Sequence, residues 1–288
     1  MKAIAASEAR RFLAEEIRVA ANIVSPRIVD ALATIPRERF LPPGPWQIRG
    51  MSDVGGPPRH TEDAAPTRVY HDVSIAIDAA RNLYNGQPSL IARWLDVLEL
   101  RPGDQVVHIG CGTGYFTALI AHIVGPDGRV QAIEVEPKLV AQARDNLSHH
   151  SWVEVRHGNG ASRLMAAADR ILVHAGATHV FDGWLDALAE GGRLLLPLTV
   201  EFPGMPTGIG KGMMLLITRH DSEWRAQLYG TMPVAIYSLK EIRDAALNTS
   251  IAEAMTTGAL VRATRVRRDE HDRTSSCIVH TPTNCLSA

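Results

Sequence analysis

Residues 106–118 read Val106-Val107-His108-Ile109-Gly110-Cys111-Gly112-Thr113-Gly114-Tyr115-Phe116-Thr117-Ala118. A short apolar strand pattern runs into a Gly110-x-Gly112-x-Gly114 turn, and apolar residues at helical spacing follow at once. Glycines at such a junction let the backbone turn tightly and approach a ligand with no Cβ in the way. The helix that follows points its first N–H groups at the same place. A nucleotide-like ligand is the natural occupant.

The spacing narrows the choice. A dinucleotide fingerprint reads G-x-G-x-x-G, its last glycine packing helix on strand beside a pyrophosphate. Here the third glycine arrives one residue sooner, and the bulky Tyr115 follows it. A second strand pattern at 129–133 ends at Glu134, 20 residues after Gly114. A carboxylate there can accept hydrogen bonds from ribose hydroxyls. Together these suit an adenosine nucleoside, and the short spacing favours S-adenosyl-L-methionine over NAD. A glycine turn with no ligand is the plainer reading of the motif alone; the acid at the next strand end argues against it.

Length and composition set the outer bounds. The chain has 288 residues, 45% hydrophobic and 21% charged, with a formal net charge of −1. Such a chain can bury a full core. Its balance leaves no electrostatic footprint for nucleic acid. No run of 18 apolar residues exists, so no membrane span is expected. The first 18 residues alternate charged and apolar side chains without a signal-peptide core, and three cysteines are too few for a disulfide scaffold. Both point to a cytoplasmic protein.

Apolar spacing predicts helices over 7–22 and 28–35. Residues 41–66 then interleave Pro42, Pro43, Pro45, Pro57, Pro58 and Pro66 with Gly44, Gly50, Gly55 and Gly56. That composition predicts a long loop, either a functional lid or a passive insertion. Beyond it the pattern is regular. Helices are expected over 88–98, 115–124, 137–147 and 181–189, the last stopped by Gly191-Gly192. Strands are expected over 105–109, 129–134, 152–156, 170–174 and 193–197. Strands alternating with helices at this spacing mean an α/β fold, a doubly wound and mostly parallel sheet covered on both faces. The last third turns to strands at 213–219 and 224–231, suited to an antiparallel hairpin on the sheet, then a helix near 239–256 and a polar tail. The expected organisation is N-terminal helices and loop (1–66), a ligand-binding α/β core (67–200), and a C-terminal strand and helix extension (201–288).

The order of these motifs resembles the protein-L-isoaspartate O-methyltransferases, a branch of the Rossmann-like class I S-adenosyl-L-methionine-dependent methyltransferases. The resemblance covers roughly 26–200. It is carried by Pro36-Arg37-Glu38-Arg39-Phe40, Tyr70-x-Asp72, Gln87-Pro88, the glycine turn, Glu134, Gly158-Asn159-Gly160, and Gly191-Gly192-Arg193-Leu194 through Pro197. It implies that Gly110, Gly112 and Gly114 admit the methionine end of the cofactor, that Glu134 binds the ribose, and that Asn159 lies beside the adenine amino group. His108, Cys111 and Tyr115 belong to the same cofactor-binding stretch. Asn159 stands where the family usually has Asp and can still accept through its side-chain oxygen. Two positions depart further: His108 replaces a common acidic residue, and Gly86 stands where the family has a substrate-contacting Ser or Thr.

Methyl transfer from a sulfonium is an in-line displacement, for which alignment of nucleophile and methyl is the main requirement. A carboxylate acceptor is already ionised at neutral pH, whereas a hydroxyl or amine would need a base. Asn85, Gln87 and Ser89 flank the missing hydroxyl and are the candidates for orienting an acceptor. His71 beside Asp72 suggests a base and its orienter, but neighbours on a strand face opposite ways, so a surface or packing role is expected for His71. His108, at the end of a buried strand, reads as structural with a hydrogen-bonded ring, and Cys111 as a small residue the turn accommodates. His271, Cys277, His280 and Cys285 gather near the C-terminus, but the spacing C-x2-H-x4-C lacks the paired knuckles of zinc modules, so no metal is expected. Arg262, Arg265, Arg267 and Arg268 are followed by Asp269, Glu270 and Asp272, which suits a solvated strand or turn.

The preferred reading is an O-methyltransferase acting on a carboxylate of a peptide, protein or small molecule, with no nucleic-acid or membrane partner. Its acceptor step rests on the resemblance. The alternatives are a methyltransferase of this fold with another acceptor, favoured by Gly86 and the 41–66 loop, and a non-catalytic S-adenosyl-L-methionine-binding protein. An NAD-dependent oxidoreductase is disfavoured by the glycine spacing. Because Gly86 lacks the orienting hydroxyl, turnover of ordinary isoaspartyl peptides is expected to be poor.

Overall fold

Proline opens three of the helices: α2 (Pro26–Thr34), α3 (Pro88–Leu98) and α5 (Pro137–Asn146) each carry it in the first turn. Its fixed φ suits that position, and its missing N–H is one the helix would not have used. The computed structural model describes residues 4–50, 53, 57–161, 167–204, 208–237 and 240–288. The chain forms two compact units, one of residues 1–104, 111–132 and 136–155, the other of residues 105–110, 133–135 and 156–288.

The first unit holds α1 (Ala6–Ala20), α2, α3, α4 (Tyr115–Val124) and α5. Nearly every residue of α4 is buried, as expected of a helix apolar on all sides. The same unit carries a small antiparallel sheet of β1 (Gln47–Arg49), β2 (Arg59–His60), β3 (Ser74–Asp78) and β4 (Leu83–Tyr84), in the order β2-β1-β3-β4. This corrects the expectation of an unbroken loop over 41–66. The prolines there flank β1 and β2 rather than interrupt them, and Ile48 pairs with Ile75 of β3. Hydrogen bonds from Thr61 N to the Trp46 carbonyl and from Trp46 N to Thr61 Oγ1 close the β1–β2 excursion. Gly55 and Gly56 lie outside the described residues.

The larger sheet has ten strands. Those of the second unit are β5 (Gln105–Ile109), β8 (Ala168–Val173), β9 (Leu188–Val200), β10 (Ile209–His220), β11 (Glu223–Tyr237), β12 (Arg265–Arg267), β13 (Cys277–His280) and β14 (Cys285–Ser287). Strands β6 (Arg129–Glu134) and β7 (Val153–His157) begin in the first unit and end in the second. The order is β13-β14-β12-β11-β10-β9-β8-β5-β6-β7. β5 pairs parallel with β8, and β8 with β9, while β9 through β14 pair antiparallel. Helices α6 (Asp182–Ala187) and α7 (Ala245–Thr256) complete the unit. Its core runs from Val107, Ile109 and Val173 through Trp184 and Leu196 to Leu215, Ile251 and Leu286.

Two further expectations change. Gly191-Gly192 does not stop a helix: α6 ends at Ala187, and the pair sits inside β9, where the register against β8 jumps from Ala168↔Leu188 to Arg170↔Arg193. The polar tail is also structured. β12, β13 and β14 bury Val266, Cys277, Ile278, Val279, Cys285 and Leu286 at the sheet edge. No helix among the described residues is long and apolar enough to cross a membrane.

Candidate active site

The glycine turn is built as its sequence requires. Gly110, directly after β5, has φ +81°, and a Cβ there would stand 3.1 Å from the His174 carbonyl oxygen. Its N–H donates to the Ile133 carbonyl at 2.8 Å, fixing the end of β5 against the end of β6. Gly114, at φ +94°, is the N-cap of α4, and a Cβ there would meet Leu147 Cδ1 at 2.8 Å. Both positions demand glycine, for conformation and for space. A glycine cap also brings no side chain to the helix start. Between them, Thr113 is tied down by Oγ1 donating to the Phe40 carbonyl at 2.7 Å and by its own carbonyl accepting from Asn146 Nδ2 at 2.9 Å. Cys111 is buried, and its thiol points to the Gly112 carbonyl at 3.8 Å.

In the second unit, Glu134 ends β6 almost fully buried, with Oε1 accepting from the Val135 N–H at 2.9 Å. The Glu134 carbonyl accepts from Gly158 N at 3.0 Å, which places Gly158-Asn159-Gly160 next to it. Asn159 is exposed, and its Oδ1 accepts from Ala161 N at 2.8 Å. A carbonyl oxygen keeps a second lone pair for a ligand donor. Gly160 is held by Trp184 Nε1 donating to its carbonyl at 2.7 Å, and a Cβ there would fall 2.1 Å from Ile109 Cγ2. His108 is fully buried and stacks on His174 at 5.9 Å between ring centroids. Burial, with His174 beside it, pulls His108 well below the usual histidine range, and burial pulls His174 to about 4. Both rings are therefore neutral at neutral pH.

The segment before α3 is organised by a residue whose role the sequence left unread. Arg37, within the Pro36–Phe40 motif, is completely buried. Its Nη1 donates to the carbonyls of Val69 (3.1 Å) and His71 (3.3 Å). Its Nη2 donates to the carbonyls of Val73 (2.8 Å) and Gly86 (3.0 Å) and to Asn85 Oδ1 (2.9 Å). Burial lowers its pKa to about 10, with Tyr115, Asp72 and Tyr70 opposing, so it stays protonated at neutral pH. The signal for this role is slight: Arg37 follows the apolar Ile35-Pro36 but precedes the charged Glu38-Arg39, so the sequence does not mark it as buried.

Arg37 also explains where the neighbouring candidates point. Asn85 is buried, and its Oδ1 also accepts from Ile75 N at 3.1 Å, so its side chain braces β3. Tyr115 is buried against Phe40 and beneath the Arg37 guanidinium, and burial pushes its hydroxyl up to about 12. Gln87 and Ser89 are only half-buried. Gln87 Nε2 donates to Asp72 Oδ2 (2.7 Å) and to Ser89 Oγ (3.2 Å), while Ser89 N donates to Asp72 Oδ1 (2.8 Å). The structure thus joins Asp72, Gln87 and Ser89 into one set. His71 is exposed and contributes its carbonyl to Arg37.

The family profile described as protein-L-isoaspartate(D-aspartate) O-methyltransferase matches residues 58–204. A protein-L-isoaspartate O-methyltransferase of Aeropyrum pernix is 33% identical over 196 residues, 66% of this chain and 67% of its own. That of Methanopyrus kandleri is 32% identical over 195 residues, 66% of this chain and 76% of its own. A solved protein-L-isoaspartate O-methyltransferase superposes with a TM-score of 0.64 at 23% identity, over 86% of this chain and 69% of that one. A structure from Plasmodium falciparum in complex with S-adenosyl-L-homocysteine gives 0.61 at 19% identity, over 81% and 98%. With the glycine turn, the acid at the end of β6 and the Arg37-braced segment in place, the chain belongs to the protein-L-isoaspartate(D-aspartate) O-methyltransferase family and is an S-adenosyl-L-methionine-dependent methyltransferase.

Proposed function

We propose that this enzyme methylates a carboxylate carried on a peptide or protein, with Gln87 and Ser89 orienting the acceptor in place of the hydroxyl that Gly86 lacks. The observation that carries this reading is the Asp72–Gln87–Ser89 set. Ser89 Oγ accepts from Gln87, and Asp72 holds both residues, so the Ser89 hydroxyl hydrogen is left to donate to an acceptor oxygen.

S-adenosyl-L-methionine supplies an electrophilic methyl group. The chain's residues fit it: turn glycines that exclude a Cβ admit its methionine end, Glu134 would accept from the ribose hydroxyls, and Asn159 from the adenine amino group. The remaining work is alignment, bringing a carboxylate oxygen to within about 3–3.5 Å of the methyl carbon. The carboxylate is ionised at neutral pH, so no side chain need remove a proton. That agrees with the exposed His71 and with the neutral rings of the buried His108 and the half-buried His174.

Incubation with methyl-labelled S-adenosyl-L-methionine and either an isoaspartyl peptide or its aspartyl counterpart tests the reading. Gly86 by itself predicts poor turnover of isoaspartyl peptides; with the Asp72–Gln87–Ser89 set supplying the orienting hydroxyl, the expected result is base-labile, methanol-releasing label on the isoaspartyl peptide alone. Absence of label on both, with base-stable label on components of a small-molecule extract, would replace it with a methyltransferase of another acceptor. Gly86 is the observation favouring that second reading.

A further inference from the structure

We propose that His271, Cys277, His280 and Cys285 form a four-ligand structural zinc site that fastens the loop leading out of β12 to the C-terminal β13–β14 hairpin. One ligand atom from each of the four lies within 4.8 Å of all the others. A tetrahedral zinc with bonds of about 2.0–2.3 Å separates its ligand atoms by about 3.3–3.8 Å, so only small side-chain adjustments close the cluster. Two sulfurs and two imidazoles are a donor set that selects zinc over the hard cations.

Strand pairing creates this convergence, which is why linear spacing argued against a metal. β13 and β14 run antiparallel with His280 opposite Cys285, and directly paired residues share a face. In a regular strand Cys277 and His280, three apart, would face opposite ways. The register shift between Cys277 and Val279 removes that mismatch and turns both to one side. The connecting turn is held by Thr281 N and Oγ1, both donating to the Asn284 carbonyl at 2.9 and 2.8 Å. Asn284 Nδ2 is anchored in turn to the Val180 carbonyl (3.1 Å) and Asp182 Oδ1 (3.0 Å).

The two histidines supply the second line of argument. His271 Nδ1 lies 2.7 Å from the Asp269 carbonyl, which can only accept, so the proton sits on Nδ1 and the lone pair on Nε2. That Nε2 is 3.6 Å from Cys277 Sγ. A ring N–H given to a backbone carbonyl is how metal-binding histidines are commonly oriented. His280 Nδ1 is buried with no hydrogen-bond partner among the described residues, an arrangement a metal bond would satisfy. With four protein ligands no coordination position stays open, which makes the site structural rather than catalytic.

Metal analysis of the purified, dialysed protein by mass spectrometry is expected to find about one zinc per chain, the stoichiometry of a single closed site. Cys285→Ser and the more exposed His271→Ala should each lower it at least tenfold. Cobalt(II) added to the metal-stripped, reduced protein should give thiolate charge-transfer and tetrahedral d–d bands. Independently of any variant, Cys277 and Cys285 of the wild type should resist alkylation until a chelator is added. Metal-free protein that gives no such bands with cobalt, a Cys277–Cys285 disulfide in their place, or zinc retained by a folded His271→Ala variant would each overturn the proposal.

Discussion

Arg37 Nη2 donates to the Gly86 carbonyl at 3.0 Å, linking the motif at 36–40 to the residue directly before Gln87. The same guanidinium holds the carbonyls of Val69, His71 and Val73 and the side chain of Asn85. One buried cation therefore fixes the backbone on both sides of the 74–84 hairpin. The segment bearing Gln87 and Ser89 inherits its position from it.

Replacing Arg37 with Met keeps the bulk and removes all five donations. Each buried acceptor left without a partner costs about 1–3 kcal/mol, so a stability loss of about 3 kcal/mol or more is expected by urea unfolding. Arg37→Lys should recover part of it, since an ammonium cannot reproduce the planar fork. A loss below about 1 kcal/mol in Arg37→Met, the worth of one ordinary hydrogen bond, would show that the carbonyls find other partners.

Glu134→Gln tests the ribose contact while preserving shape. The charged acceptor is lost but the Val135 N–H can still be satisfied, so folding should change little. Affinity for S-adenosyl-L-methionine, measured by calorimetry, should fall by about 1.5–3 kcal/mol, the worth of a hydrogen bond to a charged group. Unchanged affinity would place the ribose elsewhere.

The stacked pair His108 and His174 makes stability depend on pH in a defined direction. Both are depressed below the unfolded value of about 6.5, His174 to about 4. Below that unfolded value the denatured chain takes up protons that the folded protein refuses. Stability is therefore full above about pH 6.5 and falls toward acid, by up to about 1.4 kcal/mol per pH unit for each histidine. Urea midpoints between neutral and mildly acid pH should show this slope, and His174→Gln should reduce it. An identical slope in the variant would assign the acid sensitivity to other groups.

What was legible in the sequence is what local chemistry encodes. Residues 105–109 and 115–124 match β5 and α4, because the apolar run, the glycine turn and the helix pattern all lie within a few residues. The glycines at 110 and 114 were readable for the same reason: both sit at positive φ, a conformation that strains any residue with a Cβ. Contacts distant in sequence were not legible. Nothing near Arg37 signals that its partners lie at 69–73 and 85–86. Nothing at 277–285 discloses a strand irregularity that turns Cys277 and His280 the same way. β1 and β2 were hidden for another reason, since two or three residues between prolines carry too little periodicity to register.

The sharpest prediction concerns position 86. The resemblance to the family implies that Gly86→Ser would supply a substrate-contacting hydroxyl, but Gly86 has φ +79°, a left-handed backbone that disfavours a Cβ. Serine there should cost about 1–2 kcal/mol of stability. The strain would also loosen the carbonyl that Arg37 holds. The variant is therefore expected to unfold at lower urea concentration and to gain no isoaspartyl turnover. Ser89→Ala should behave in the opposite way. It touches no buried core, so stability should hold, while kcat/KM for the acceptor should fall about 10- to 150-fold, the equivalent of one hydrogen bond to a charged group. S-Adenosyl-L-methionine affinity should be unchanged in both variants. A gain of activity in Gly86→Ser together with full activity in Ser89→Ala would return the orienting role to residue 86 and remove it from the Asp72–Gln87–Ser89 set.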